Sequence, residues 1–428
     1  MKKTITTLLL VVICPAIMYG QLGGLADKLT QKIKEKAKAR AERKVDKVID
    51  HTLDTMEGKR QKPGKKEVSQ NQAEMSSDTA KRMYIKYDFI PGEDVIYSHD
   101  FSADNMGEMP AGWNSNGNAA VVTIKDLKGN WVQLYQNAVY LTDNKASFTE
   151  NFTVEFDLVL HRSNPKAPFP EMTWGILSSG HLDPDDNSLL KDYTATFATE
   201  MSLQPSDEIR STMQLQAYKN RGSYFKTDIQ KPGELLLQFN KVVHIAMQVQ
   251  KERMRIWWNG QKIYDLPKAI ARDINLNQLY FTVKRYGGSE QEVGYAISNI
   301  KIAKGLPDTR HKLLNEGRFS TTGILFNVNS YTVLPESNGV ISEIASILTK
   351  NPELKIKIIG HTDSDGSETA NLELSKQRAA AVKQVLTDQF RVDASRMESD
   401  GAGERQPVGD NGTKEGKANN RRVEFVRQ

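Results

Sequence analysis

The chain has 428 residues, of which 38% are apolar and 26% are charged. This length leaves room for two or three domains, each able to bury its own core. The composition is that of soluble globular domains, which argues against a membrane bundle or a wholly disordered chain. The net charge of +5 is modest, and most of the positive excess lies between residues 28 and 66. A uniformly basic nucleic-acid binder is therefore disfavoured, and no nucleic-acid partner is predicted.

The N-terminus has the order of an export signal. Lys2 and Lys3 precede an apolar stretch at residues 8–13, and small residues then lead to Gln21. Charged, apolar and small-residue segments in this order are typical of a signal peptide, and the apolar part is shorter than the roughly 20 residues that a spanning helix needs. We expect residues 1–20 to be removed, with cleavage before Gln21 preferred to cleavage after Ala16.

The only cysteine, Cys14, lies inside this segment. A lipid-attachment site would need a small residue before the cysteine, and Ile13 is bulky. Removal of the signal would leave a chain without cysteine, so that its stability would depend on packing and not on disulfides.

Residues 21–57 are predicted to form a basic amphipathic helix, because apolar residues recur at steps of three and four between charged residues. One interpretation is an exposed helix or weak coiled coil. The other is an anchor in which residues 22–56 lie on the anionic headgroups of the outer membrane. Residues 58–82 are rich in Lys, Gly, Gln, Ser and Pro and predict a flexible linker.

Residues 83–305 contain short β-branched and aromatic runs separated by turn residues. The clearest runs are 120–124, 152–160 and 279–283. Residues 253–258 and 261–264 flank Asn259-Gly260, a pair that accepts the positive φ angles of a tight hairpin turn. Strands without intervening helices predict an all-β antiparallel sandwich, and this pattern loosely resembles laminin-G or concanavalin-like jelly rolls.

The sandwich offers several candidate sites. Glu155 and Asp157 alternate along a strand like the carboxylates of one jelly-roll hydrolase family, but the further glutamate of that signature is missing. The acids at 183–186 fit no calcium loop, and no metal site or cofactor is predicted. The five tryptophans could stack sugars, although core positions are the simpler interpretation; they are Trp113, Trp131, Trp174, Trp257 and Trp258. A glycan or protein ligand for this domain therefore stays open.

Residues 306–428 alternate between strand and helix patterns and predict an α/β domain with helices on one face of a small sheet. Strands are expected at 323–326, 354–360 and 422–426. Helices are expected after Pro335 and at 369–389.

A polar cluster follows the second predicted strand, and it includes His361, Thr362 and Asp363. On the next helix, Asn371 and Arg378 are seven residues apart and share one face. A guanidinium in an apolar stripe requires a partner. One interpretation is an ion pair between Arg378 and Asp363. The other is a split site that holds the ammonium and the carboxylate of an amino-acid zwitterion.

The stretches GHTDSDGSETANLELSKQRAAAV and DGAGERQPVGDNGTKEGKANNRRVEF closely resemble the OmpA-like peptidoglycan-binding domain, over about the last quarter of the chain. The resemblance implies a site for the diaminopimelate residue of the peptidoglycan stem peptide. Asp363 and Arg378 would be its primary contacts, Thr362 and Asn371 would support them, and Arg421 is a further candidate. His361 is expected to be structural.

Family members commonly carry Asp where this chain has Asn327, so one charge of the family pattern is missing. The overall prediction is an exported protein without enzymatic activity, in the periplasm or at the outer membrane of a Gram-negative-type envelope. Its C-terminal domain would tether the sandwich to the cell wall. The alternative is a wall-anchored glycan-binding protein or glycoside hydrolase that acts through the sandwich.

Overall fold

The computed structural model describes residues 87–206, 210–231, 238–286 and 288–428. The predicted signal peptide (1–20), basic helix (21–57) and linker (58–82) lie outside the described residues, as do residues 83–86 of the predicted sandwich. Within the described part, an antiparallel β-sandwich is followed by an α/β domain, which confirms the predicted fold class. None of the helices in this part is long and apolar enough to cross a membrane.

The sandwich consists of two antiparallel sheets. Its strands are β1 (Asp94–His99), β2 (Asn114–Ser115), β3 (Ala119–Val122), β4 (Trp131–Leu134), β5 (Ala138–Leu141), β6 (Asn151–Arg162), β7 (Met172–Ser178), β8 (Phe197–Gln204), β9 (Thr212–Lys219), β10 (Gly222–Lys226), β11 (Val242–Gln250), β12 (Arg253–Trp258), β13 (Gln261–Leu266), β14 (Gln278–Val283) and β15 (Val293–Lys304). The first sheet has the order β13-β12-β11-β6-β15-β4-β3, and β1 also pairs with β15; the second has the order β10-β9-β8-β7-β14-β5-β2.

Alternation along the strands builds the sandwich core. Successive residues of a strand point to opposite faces, so Phe156 of β6 turns inward, where its ring lies 5.3 Å from the ring of Trp174 and 5.3 Å from that of Phe281. The predicted hairpin forms between β12 and β13. Asn259 and Gly260 both adopt positive φ angles, 48° and 82°, as a tight two-residue turn requires.

The α/β domain has a four-stranded sheet in the order β16-β19-β17-β18. Its elements are the turn α1 (Thr309–His311), strand β16 (Arg318–Thr321), helix α2 (Asn338–Lys350), strand β17 (Ile356–His361), helix α3 (Glu368–Phe390), strand β18 (Met397–Gly403), helix α4 (Lys414–Asn420) and strand β19 (Val423–Arg427). Helices α2 and α3 pack on the same alternating residues of β17 and β19, Ile356 and Ile358 with Val423 and Phe425.

One predicted strand is wrong. Residues 323–326 were expected to form a strand, but they follow β16 and belong to no strand of the sheet. Within them, Phe326 forms an isolated bridge with Val333. The sheet pairs the preceding residues Arg318–Thr321 with β19. Gly323 then lies close against Pro91, so that an added Cβ would stand 2.5 Å from its ring. The apolar run was recognised correctly, but tertiary packing chose the neighbouring residues for the ladder.

Residues 87–93 lie between the sandwich and the α/β domain. Phe89 packs with Trp257 on the outer face of the first sheet, at 5.2 Å between ring centroids. The next residue, Ile90, packs against the core of the α/β domain. The Gly92 amide donates to Thr153 Oγ1 at 2.8 Å. One short extended segment therefore contacts both domains.

We predict that Gly339→Ala destabilises the protein through this segment. A Cβ at Gly339 would lie 1.9 Å from the Phe89 carbonyl oxygen, and overpacking of this kind costs about 1–3 kcal/mol. Ala is better than Gly in a helix by about 1 kcal/mol. Because a backbone carbonyl cannot rotate away from the new methyl group as a side chain can, we expect a cost near the upper end of the range and a net loss in the free energy of unfolding of about 2 kcal/mol in urea denaturation. Gly222→Ala is the control, since its Cβ has a nearest contact of 3.4 Å. An unchanged Gly339→Ala midpoint would contradict the close packing.

Candidate functional site

The polar cluster lies where β17 ends. Thr362 and Asp363 are both buried, and the Thr362 amide donates to the Gly403 carbonyl at 3.0 Å, which joins the ends of β17 and β18. The Thr362 hydroxyl is buried without a hydrogen-bond partner among the described residues. Gly366, at φ 100°, then turns the chain toward α3. The loop that carries Asp363 therefore leads directly into the N-terminal end of α3.

Small residues bring α3 close to the two strands. A Cβ on Gly360 would lie 2.2 Å from the Ser375 carbonyl oxygen, and one on Gly401 would lie 2.3 Å from Ser375 Oγ. Ser375 Oγ in turn accepts a hydrogen bond from the Gly403 amide at 2.9 Å. This contact fixes the helix against the sheet one turn before Arg378.

Arg421 is the ionic partner of Asp363. Its Nη1 lies 2.5 Å from Asp363 Oδ2, and Arg421 follows the last residue of α4. One turn earlier on α4, Lys417 Nζ lies 2.7 Å from Asp365 Oδ1. Helix α4 therefore presents two cations to the acidic loop between β17 and α3.

Arg378 is half-buried and is held by backbone groups. Its Nε donates to the Ser330 carbonyl at 3.0 Å, its Nη2 lies 3.5 Å from the Asn327 carbonyl oxygen, and its guanidinium stands 4.9 Å from the centre of the Phe326 ring. The simple ion pair between Arg378 and Asp363 is absent from the described residues, because Asp363 pairs with Arg421 instead.

The three charged side chains nevertheless share one region. Desolvation lowers the pKa of Arg378, the charge of Arg421 lowers it further, and the charge of Asp363 opposes them. Of the predicted residues, Asp363 and Arg421 are therefore in direct contact, and both act electrostatically on the Arg378 guanidinium.

The remaining predicted residues have different positions. Asn371 is buried at the start of α3, and its Nδ2 donates to the Asp363 carbonyl at 3.3 Å, to the Asp365 carbonyl at 3.1 Å and to Glu404 Oε2 at 2.5 Å. It holds the loop that carries Asp363. Asn327 is exposed, and its carbonyl oxygen is the part that approaches Arg378.

Residue-level reasoning missed two positions that organise the site. Asn420 is fully buried; its Oδ1 accepts from the Val408 and Gly409 amides at 2.7 and 2.9 Å, and its Nδ2 donates to the Gly409 carbonyl at 2.9 Å. Glu404 holds Asn371, as described above. Both residues lie within the motifs that carry the family resemblance, but spacing alone gave no role for either.

A second cluster of charged residues is centred on the buried Glu424 of β19. Arg422 Nη2 lies 2.8 Å from Glu424 Oε1, Arg318 Nη2 lies 2.6 Å from Glu424 Oε2, and His361 Nε2 lies 3.5 Å from Glu424 Oε1. Burial alone would raise the pKa of Glu424, but His361 and Arg422 outweigh it and lower that pKa to about 2. His361 is thus placed away from solvent, in a structural environment.

The carboxylates at the hydrolase-like positions of the sandwich are engaged in ion pairs. Glu155 Oε1 lies 2.9 Å from Lys301 Nζ, and His244 Nδ1 lies 2.9 Å from Asp157 Oδ1. Asn299 also donates to Asp157 at 2.7 Å. Burial acts against both charges, yet this pairing lowers the pKa of Glu155 and raises the pKa of His244. A glycosidase acid needs a raised pKa, whereas the pKa of Glu155 is lowered.

The tryptophans of the sandwich are buried at 0–7% exposure, including Trp257 and Trp258. This confirms their interpretation as core residues, and none of them presents a flat face to a sugar.

The chain thus consists of a β-sandwich followed by an α/β domain, with a charged cluster at the end of β17. Residues 325–421 match the model of the OmpA family. The C-terminal domain is therefore an OmpA family domain, as the sequence motifs predicted.

Relatives of this domain are envelope proteins. The segment is 41% identical over 103 residues to the probable lipoprotein YiaD of Escherichia coli, covering 24% of this chain and 47% of the relative. It is 39% identical over 101 residues to outer membrane porin F of Pseudomonas aeruginosa, covering 24% and 29%. It is 35% identical over 103 residues to the peptidoglycan-binding protein ArfA of Mycobacterium bovis, covering 24% and 31%. The chain thus spans less than half the length of each.

A solved structure with a similar domain is the peptidoglycan-associated lipoprotein of Burkholderia pseudomallei. It is 31% identical and covers 26% of this chain and 89% of that chain, with a TM-score of 0.24.

The buried Glu424 predicts a pH-dependent stability. Its pKa is about 2 in the folded protein against an ordinary value of 4.5, so its contribution is fully present above about pH 4.5 and is lost as the pH falls toward 2. The contribution should be on the order of 3 kcal/mol. Urea denaturation from pH 2 to 6 should show a steeper loss for the parent chain than for Glu424→Gln. Parallel pH profiles of the two proteins would rule out this role for Glu424.

Proposed function

We propose that the protein binds peptidoglycan non-covalently through the diaminopimelate residue of the stem peptide and tethers its β-sandwich to the cell wall. The observation that carries the proposal is the convergence of Asp363 and Arg378, from a loop and a helix, within an OmpA family domain. Opposite charges held apart by the fold suit the two poles of one amino-acid zwitterion.

Arg378 is suited to bind the carboxylate pole. Its Nε is already bonded to the Ser330 carbonyl, and the Phe326 ring supports the guanidinium. These contacts restrict the orientation of the planar guanidinium group, so the side chain loses less rotamer entropy when a carboxylate binds to it. Desolvation lowers its pKa, and a partly desolvated cation gains more from a new anionic partner than an exposed one does.

Asp363 is suited to bind the ammonium pole. One of its carboxylate oxygens is engaged by Arg421, and the other, within the described part of the chain, accepts only a 3.2 Å hydrogen bond from the Asp365 amide. A carboxylate oxygen accepts more than one hydrogen bond, so an ammonium can be added without loss of Arg421. The Thr362 hydroxyl, one residue earlier in the chain, is buried without a hydrogen-bond partner among the described residues, and Asn371 keeps the loop in place.

The presence of Asn327, where family members commonly carry Asp, should have a limited effect on ligand binding. It is the Asn327 backbone carbonyl that approaches Arg378, and an amide side chain leaves this carbonyl available. We therefore infer that the site retains its specificity while it lacks one negative charge.

The relatives support an envelope location, because several of them are outer membrane proteins or lipoproteins. One relative is a peptidoglycan-binding protein by name. We infer that this chain is exported to the periplasm or the outer membrane and that it acts by binding and not by catalysis.

The first test removes each charge in turn. Arg378→Ala and Asp363→Ala should each weaken the binding of the chain from residue 21 onward to isolated sacculi. Truncating one member of a desolvated charge pair costs about 2–5 kcal/mol, or roughly 30- to 5,000-fold in Kd. Sedimentation of protein with sacculi measures the effect. Lys383→Ala on the same helix is the control, since it lies five residues from Arg378 and on another face. Undiminished binding by both site variants would refute the proposal.

The second test concerns the ligand. A muropeptide with diaminopimelate should bind more tightly than the otherwise identical muropeptide with lysine, because lysine lacks the side-chain carboxylate that Arg378 would clamp. An unpaired Arg378 should cost about 1–3 kcal/mol, or roughly 5- to 150-fold in Kd, measured by calorimetric titration. The preference should disappear in Arg378→Ala. Equal affinities in the parent protein would exclude diaminopimelate as the recognised residue.

A further inference from the structure

Helix α4 has two faces with different partners. Lys417 and Arg421 are four residues apart, which places them on one side of the helix, and they contact Asp365 and Asp363 of the candidate site. Glu415 and Asn419 are also four residues apart, and they contact strand β1 of the sandwich. The same short helix thus connects the two domains at the site.

The contacts with the sandwich are directed at its backbone. The Val95 amide donates to Asn419 Oδ1 at 2.9 Å, and Asn419 Nδ2 donates to the Val95 carbonyl at 3.0 Å. The Ser98 amide donates to Glu415 Oε1 at 3.2 Å. Between them, Ala418 packs on Val95 and Ala303 in a small apolar cluster. Side chains of the α/β domain therefore form hydrogen bonds with backbone groups along the edge of β1, as the backbone of an additional strand would.

The sandwich also reaches the charged part of the site. Desolvation acts to raise the pKa of the Asp100 carboxyl, but hydrogen bonds from Ser102 and the charge of Arg421 lower it overall. Asp100 directly follows β1. Arg421 is therefore close to acidic groups from both domains, Asp363 and Asp100.

A helix of this length needs outside support. Helix α4 has seven residues, and isolated helices shorter than about 12–15 residues are marginal in water. Its support comes from Asn420, which holds the loop at 408–409, and from Asn419 and Glu415, which hold the sandwich. Arg421 follows immediately, so its position depends on both attachments.

We propose that the sandwich contributes to the binding of the cell wall. Through its hydrogen bonds with β1, Asn419 acts as a positioning residue that holds Arg421 against Asp363 and so maintains the geometry of the site for its ligand. This inference rests on the proposed function. It makes the sandwich a component that sets the affinity of the site, in addition to being the part that is tethered.

The experiment measures the Kd of the chain from residue 21 onward for a diaminopimelate muropeptide. Asn419→Ala should weaken binding roughly tenfold, which corresponds to about 1.4 kcal/mol, although the Asn419 side chain is bonded to strand β1 of the sandwich. Asn116→Ala is the matched control, because Asn116 Oδ1 accepts from the Val139 amide at 2.8 Å in the second sheet, away from the site. Its affinity should equal that of the parent chain.

A double-mutant cycle separates positioning from general destabilisation. If Asn419 acts through Arg421, Asn419→Ala should cause no further loss in an Arg421→Ala background. Glu415→Ala removes the other contact of α4 with the β1 backbone, the hydrogen bond from the Ser98 amide, and should also weaken binding, so the test stands even if Asn419→Ala fails to fold. Circular dichroism and thermal unfolding show which variants are folded at the assay temperature.

The outcomes are distinguishable. Absence of muropeptide binding by the parent chain would refute the proposed function itself. Binding by the parent chain with unchanged Kd in folded Asn419→Ala and Glu415→Ala would overturn only the positioning role. An equal loss from Asn419→Ala with and without Arg421 would also overturn it, since the effect would then not pass through Arg421.

Discussion

A carboxylate at the buried end of a strand is the constraint on which this site depends. A buried carboxylate needs hydrogen-bond and ionic partners, and those of Asp363 include the Asp365 amide in its own loop and Arg421, which directly follows α4. Because Arg421 is 58 residues away along the chain, the site is complete only when the whole α/β domain has closed. Its geometry and the stability of the domain are therefore linked.

The close approach of helix α3 to the sheet determines the position of the second charged group, the Arg378 guanidinium. Gly360 and Gly401 leave no room for a side chain against Ser375, and this contact sets the rotation of α3. Arg378 is then directed toward the carbonyls of Asn327 and Ser330 and not toward Asp363. The two charges remain separate because each has its own partner, and separation is what a zwitterion-binding site requires.

Much of the architecture could be predicted from local pattern. The alternation in β6, the Asn259-Gly260 turn and the span of α3 follow from periodicity and turn chemistry, and the structure has each within a few residues of its predicted place. The site residues were found because polar side chains at the end of a strand and on one helix face must converge. The prediction failed at residues 323–326, because two neighbouring segments could pair with β19 and the sheet uses Arg318–Thr321. It also failed to assign the partner of Asp363, because several cations were equally available in the sequence.

The sequence by itself determined the order of the domains, the strand and helix periods, and the residue types able to hold opposite charges. These depend on spacing within a few residues, which sterics and burial translate directly into structure. Only the tertiary structure decided that Arg421 pairs with Asp363, that Asn420 braces the adjoining loop, and that α4 lies against β1 of the sandwich. These contacts join residues that are far apart in the chain, and their choice depends on which surfaces meet once both cores are packed.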